Sequence, residues 1–296
     1  MAFKMITFGL FTLLSSAKIV EKTVFDSKLR FIHLIGLEGS GHHYFSHLHQ
    51  TIFKKNKNIY KIKPYLFSHG DYFVPELMND VNKLGERNSL LRSKMKNLKE
   101  IGDEHPGTFY SMQSEESFPW GPGPNKVLNY MDLRSLVEVA EEEKIDMRFV
   151  YLKRSAMDLV IANTIHREFH LHIGLPSGRN KEEKFMNYMQ IILAEIAIVQ
   201  SLLGEIDPAF VVCHDFDLLG DIDQSLKISK FVSPNEEVFR SYNESMVENV
   251  VHHSRSSSSS KLTKFNYDMS SLEFIVSRLQ SKLDSFEYKY CKVNTG

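Results

Sequence analysis

Eight residues, Gly36-Leu-Glu-Gly-Ser-Gly-His-His43, hold the clearest chemistry in this chain of 296 residues. Glycines at 36, 39 and 41 let a backbone turn so that successive N–H groups point inward, and Ser40 adds a hydroxyl donor. The apolar run Phe31–Ile35 before them reads as a strand stopped by Gly36, and Gly41 to about Lys57 reads as a helix. A helix start adds about half a positive charge, so strand, loop and helix together make an anion site. The plainer alternative is a glycine-rich turn that only joins strand to helix. The spacing G-x-x-x-x-G in a strand–loop–helix context favours phosphate. His42 stands where an ATP- or GTP-binding loop has Lys, and His43 where it has a magnesium-binding hydroxyl. That argues against a nucleotide hydrolase and for a phosphate site that needs no metal.

Other residues have chemistry to offer. Arg154 ends the strand-like run Arg148–Leu152, and a guanidinium can grip phosphate with two parallel hydrogen bonds. It could equally be a surface arginine. Lys153 beside it is expected on the opposite face, and Asp158 in a first helical turn. His43 and His47 have a zinc-compatible spacing, but no nearby carboxylate or cysteine completes a set, so no metal is expected. His166 and Arg167 end the next helix, facing the same cleft or complementing the helix's negative end. The segment Phe118–Pro124 is aromatic and proline-stiffened; it serves either as a ligand clamp or as a rigid cover.

The elements that must position these groups alternate in type. Strands are expected near 31–35, 108–112, 148–152 and 209–213, with a loop at Glu115–Pro124. One or two helices are expected over 75–101, and single helices at 133–144, 156–169, 182–206, 222–232, 236–251 and 272–288. Such alternation implies α/β architecture: a parallel sheet with helices on both faces, a three-layer sandwich. Ligands bind such sheets at the carboxyl ends of the strands, so the turns after Ile35, Leu152 and Cys213 are where function should lie.

At this point the chain resembles the P-loop sulfotransferase family. That family carries G-x-P-[KR]-[ST]-G-[ST]-[ST] after its first strand; Gly36, Ser40 and Gly41 match, while Glu38, Gly39, His42 and His43 do not. A second family motif is R-x-P-x-D after a strand, with a Ser eight positions after the Arg. Here Arg154 and Asp158 match, Ala156 replaces the Pro, Ala162 stands at the Ser position, and Asn163 is the nearest alternative donor. Val211–Leu218 and the helix reaching Val232 are similar to the family's third strand, turn and helix. The resemblance spans 31–232 and implies 3′-phosphoadenosine 5′-phosphosulfate (PAPS) as cofactor. It places Gly36, Gly39, Ser40, Gly41, His42 and His43 on the 5′-phosphosulfate, and Arg154 and Asn163 on the 3′-phosphate. The acceptor would be a hydroxyl or amine of a carbohydrate, a protein or a small molecule.

In sulfuryl transfer the leaving phosphate regains charge, which the family's loop Lys or Arg neutralises; Gly39 cannot. Losing one such donor costs roughly a hundred- to a thousandfold in rate. His42 and His43, as imidazolium beside a dianion, are the local substitutes; a neutral His or Glu38 would instead serve as base toward the acceptor. Two readings compete with this one. The first is a catalytically impaired nucleotide- or ligand-binding protein of the same fold, and the second is a small-molecule P-loop kinase.

Composition narrows the setting. The chain is 42% hydrophobic and 25% charged with a net charge of −1, ordinary for a globular domain and with no bias toward nucleic acid or an anionic membrane. No linker divides it, so residues 18–296 are expected as one domain. Lys4, the apolar run Met5–Leu14 and Ser15-Ser-Ala17 form a signal-peptide or signal-anchor pattern over 1–17; a buried element of a cytosolic domain is the alternative. The Golgi lumen or the extracellular space is therefore expected, with membrane attachment only if the segment is uncleaved. The sequon Asn243-Glu-Ser245 fits that route. The two cysteines, Cys213 and Cys291, form one bridge or remain thiols.

Overall fold

Strand β1 (Leu29–Leu37) lies at the centre of the sheet. Its apolar side chains alternate between two cores, as a strand buried on both faces requires. Phe31, Ile35 and Leu37 enter one core and Ile32 and Leu34 the other. The computed structural model describes residues 29–37, 39–42, 44–45, 48, 59–61, 84–103, 109–118, 133–162, 181–218, 220–233 and 236–252, and positions 274, 277–278, 281 and 291. The signal-like segment, Glu38, His43, His47, Asn163, His166, Arg167 and residues 119–124 lie outside them.

The remaining strands are β2 (Ile59–Lys61), β3 (Phe109–Phe118), β4 (Asp146–Lys153) and β5 (Val211–Asp215). All ladders are parallel and the order is β2-β3-β1-β4-β5, with the glycine-rich loop leaving the central strand. Helices α1 (Leu84–Asp103), α2 (Leu133–Glu142), α3 (Ala156–Ile161) and α4 (Lys181–Gly204) cover the face of Phe31 and Ile35. Helices α5 (Ile222–Val232) and α6 (Glu236–His252), with Tyr44, Phe45 and Leu48, cover the other. This is the expected α/β, P-loop-type three-layer sandwich.

Several boundaries differ from expectation. β1 runs through Gly36 to Leu37, because Gly36 still pairs with Ser117 and Leu152. β3 extends to Phe118, so Glu115–Phe118 is strand rather than loop; its register with Leu34–Leu37 is continuous. β5 begins at Val211 because Pro208–Phe210 forms a 3-10 turn capped by Asp207. β2 was not expected at all.

At the amino ends of the strands, Asp146 binds two arginines: Arg30 Nε at 2.6 Å and Arg148 Nε at 2.8 Å. Arg148 also donates to the Ala209 carbonyl at 3.2 Å, so β1, β4 and the approach to β5 are tied together far from the loop. Cys213 and Cys291 are bonded, with Cα atoms 4.8 Å apart, which fastens the C-terminal segment to β5.

Candidate functional site

The loop is a tight turn followed by a helical start. Ser40 N–H donates to the Leu37 carbonyl at 3.0 Å, and Tyr44 N–H to the Gly41 carbonyl at 3.0 Å. Gly39 and Gly41 have φ of 88° and 114°, backbone that disfavours any side chain. A Cβ at Gly41 would meet the Phe216 ring at 2.9 Å. Gly36 serves differently from its expected place in the cradle: as a strand residue it makes room for Ser40, whose Oγ would lie 2.3 Å from a Cβ there.

Ser40 is buried and its Oγ lies 3.5 Å from His42 Nδ1, so its hydroxyl lines the floor of the loop. With the Ser40 amide committed to Leu37, the amides of Gly39 and Gly41 are the loop donors that bond to no described residue. His42 is 6% exposed, which places the ring inside the loop rather than on the helix surface. Its charge, after burial, helps push His33 on β1 down to about 3.

Arg154 follows β4 and reaches across to the loop. Its Nη1 donates to the Gly39 carbonyl at 2.8 Å, and its guanidinium carbon sits 5.4 Å from the centre of the Phe216 ring. Arg154 Nε is buried without a hydrogen-bond partner among the described residues; the Asp158 carboxylate stands 3.7 Å away. Asp158 is in the first turn of α3, as expected, where its N–H donates to the N-cap Ser155 Oγ at 3.2 Å.

Strand alternation sends Lys153 the other way, where its Nζ pairs with Asp215 Oδ2 at 2.8 Å. Asp215 is braced in turn. Its N–H donates to Gln224 Oε1 at 2.8 Å, Gln224 Nε2 donates to its carbonyl at 2.9 Å, and its Oδ1 accepts from Asp217 N–H at 2.9 Å. The turn after β5 is thereby fixed beside the loop, and it presents Phe216 to Gly41, Tyr44 and Arg154. His214 stacks on Tyr44 with centroids 5.8 Å apart, and burial holds it down at about 4.

Loop, Arg154 and the turn after β5 therefore meet at the carboxyl ends of three adjacent strands. Sequence reasoning missed Phe216 and the Lys153–Asp215 pair. The strand–helix alternation and the similarity around Val211–Leu218 pointed to that turn, but not to these residues. It also missed that β3 carries Glu115 and Glu116 in register with Leu34 and Ile35, next to the loop strand. No group of three or more His, Cys, Asp or Glu residues suited to a metal occurs among the described residues.

No protein-family model matches the chain, and no curated protein matches it. Among solved structures, a sulfotransferase from Alicyclobacillus acidocaldarius is similar at 10% identity and a TM-score of 0.35, over 76% of this chain and 96% of that one.

Proposed function

We propose that this chain is a sulfotransferase-like enzyme that takes a sulfuryl group from 3′-phosphoadenosine 5′-phosphosulfate to a hydroxyl or amine acceptor. The observation that carries the reading is the contact between Arg154 and Gly39: a fixed cation from β4 meets a positive-φ glycine loop leaving the central strand. The residues suit a phosphate. The Gly39 and Gly41 amides bond to no described residue, the Gly41 backbone admits no bulk, and the Arg154 guanidinium lies against the loop. When bound, the phosphosulfate would supply the activated sulfuryl group. The chain's own part is to hold the phosphate on these amides, to place positive charge beside it, and to keep His42 within the loop as a proton-handling group. Glu38 and His43 remain candidates for that proton transfer, and Asn163 for a cofactor contact.

Residence in the secretory pathway belongs to the same proposal. The Cys213–Cys291 bond supports it, since such bonds persist in oxidising compartments. Asn243 is half-buried in α6 and Ser245 fully so, which means a glycan would have to be added before α6 packs.

One observation favours a second reading, nucleotide binding without transfer. Gly39 offers no side-chain cation, and its φ of 88° resists acquiring one. Transfer of radiolabelled sulfate from the cofactor to a panel of sugars, peptides and phenols separates the two readings. Calorimetry with adenosine 3′,5′-bisphosphate, and with ATP plus magnesium, separates both from a kinase. Absence of bisphosphate binding at millimolar ligand would refute the proposal.

A further inference from the structure

We infer that Arg154 serves the same phosphate as the glycine loop, supplying the positive charge that residue 39 cannot, rather than gripping a separate 3′-phosphate. The inference rests on the proposed function. It departs from the role that the sulfotransferase resemblance assigns to this arginine.

Four features carry it. The guanidinium is bonded to the carbonyl of residue 39 itself, at 2.8 Å, so the cation is anchored at the position where the resemblance expects a loop Lys or Arg. Gly39 at φ 88° is backbone that an L-residue rarely adopts, so a charged side chain there would be strained. Lys153, the neighbouring cation in sequence, is occupied by Asp215 at 2.8 Å on the opposite face. Finally, the arginine is held in place: Phe216 lies 5.4 Å beneath it and also abuts Gly41, so one ring fixes both the cation and the loop.

The guanidinium has five N–H donors, and a single bond to Gly39 is the one found among the described residues. Its Nε is buried and faces the Asp158 carboxylate at 3.7 Å, which leaves Nη2 and the second Nη1 proton, bonded to no described residue, to meet a phosphate oxygen held on the Gly39 and Gly41 amides. An always-charged group suits a leaving phosphate whose negative charge grows in the transition state.

The test separates the two phosphates. Adenosine 3′,5′-bisphosphate and adenosine 5′-monophosphate are titrated calorimetrically into wild type, Arg154→Ala and Arg154→Gln. Both variants should lose about tenfold to a hundredfold in affinity for both ligands alike, while binding of uncharged adenosine is unchanged. A loss confined to the bisphosphate would return Arg154 to the 3′-phosphate and overturn the inference. Glutamine can still donate to the Gly39 carbonyl, so wild-type affinity in Arg154→Gln would reduce Arg154 to a neutral brace and also overturn it. Far-ultraviolet dichroism and thermal melting check that the variants fold. Wild type that binds neither nucleotide would refute the proposed function itself, a result distinct from the other two.

Discussion

Replacing Gly41 by alanine should damage the site through two separable terms. The first is backbone: φ of 114° lies where L-residues are strained by about 1–3 kcal/mol. The second is steric: the new methyl would sit 2.9 Å from Cδ2 of Phe216 and 3.1 Å from its Cε2. Phe216 cannot simply swing away, because it also packs edge-on against Tyr44 at 6.2 Å and supports Arg154. Overpacking of this kind costs about 1–3 kcal/mol. Gly41→Ala should therefore lose about 2–6 kcal/mol, a large share of a typical domain's stability. Phe216→Ala alone should lose about 1–2 kcal/mol of packing on a half-buried ring. In the double variant the clash disappears, so the combined loss should fall short of the sum by at least about 1 kcal/mol. Urea unfolding of the four proteins measures the coupling. Strict additivity, or a Gly41→Ala variant as stable as wild type, would refute the close approach of the turn to the loop.

Three further outcomes are expected. Burial pushes Glu195 on α4 up to about 9, and its oxygens meet no partner among the described residues, so the native state holds a proton there that the unfolded chain releases above about 4.5. Its contribution is present at low pH and lost as pH rises; Glu195→Gln should stabilise the protein at pH 7.5 by up to about 4 kcal/mol and flatten the alkaline side of a melting-temperature profile. His33 and His214, held down at about 3 and about 4 mainly by burial, act in the opposite sense. Their stabilisation is complete above the ordinary value of 6.5 and drains away as pH falls below it, so stability by urea titration should peak near pH 6.5. Cys291→Ser opens a link spanning 78 residues and should cost about 2–5 kcal/mol in urea, with wild type under reductant showing the same loss.

The fold class was legible because the central strands are short and apolar, and because Gly36–Gly41 and Arg154 follow two of them. Helix 222–232 matches its expected bounds to the residue, and the structure shows it capped by Asp221, whose side chain accepts from Gln224 N–H at 2.7 Å. β3 was not legible. Its sequence Ser111-Met-Gln-Ser-Glu-Glu-Ser117 lacks the branched and aromatic residues that mark strands. The unbroken ladder from Leu29–Tyr110 to Leu37–Phe118 overrides that weak local preference. The three residues of β2 carry too little pattern to be seen. In the site, residue types were readable but their partners were not. Nothing in one dimension says that Arg154 stops at the Gly39 carbonyl, or that Lys153 spends its charge on Asp215.

The site's organisation turns on Phe216, a residue with no chemistry of its own. Three segments far apart in sequence reach the carboxyl end of the sheet: the loop after β1, Arg154 after β4 and the turn after β5. Phe216 belongs to the last of these and touches the other two, with Gly41 and Tyr44 on one side and Arg154 on another. Its own position is not left to packing alone, because Gln224 bonds the backbone of the preceding residue and accepts and donates within one turn. The chain of causes therefore runs from the Asp221 cap, which sets the first turn of α5 and hence Gln224, through Asp215 and Phe216 to the loop. A consequence follows for substitutions outside the site. Gln224→Ala removes an amide committed to the backbone of Asp215 and Leu218, which frees the turn that presents Phe216 and so loosens both Gly41 and Arg154. It should weaken bisphosphate binding several-fold by calorimetry and also lower the melting temperature, because three hydrogen bonds go with the side chain. Gln224→Glu keeps one acceptor for the Asp215 N–H but loses the donor, and should fall between wild type and alanine. Wild-type affinity in Gln224→Ala would show that Phe216 holds the loop and the arginine without help from α5.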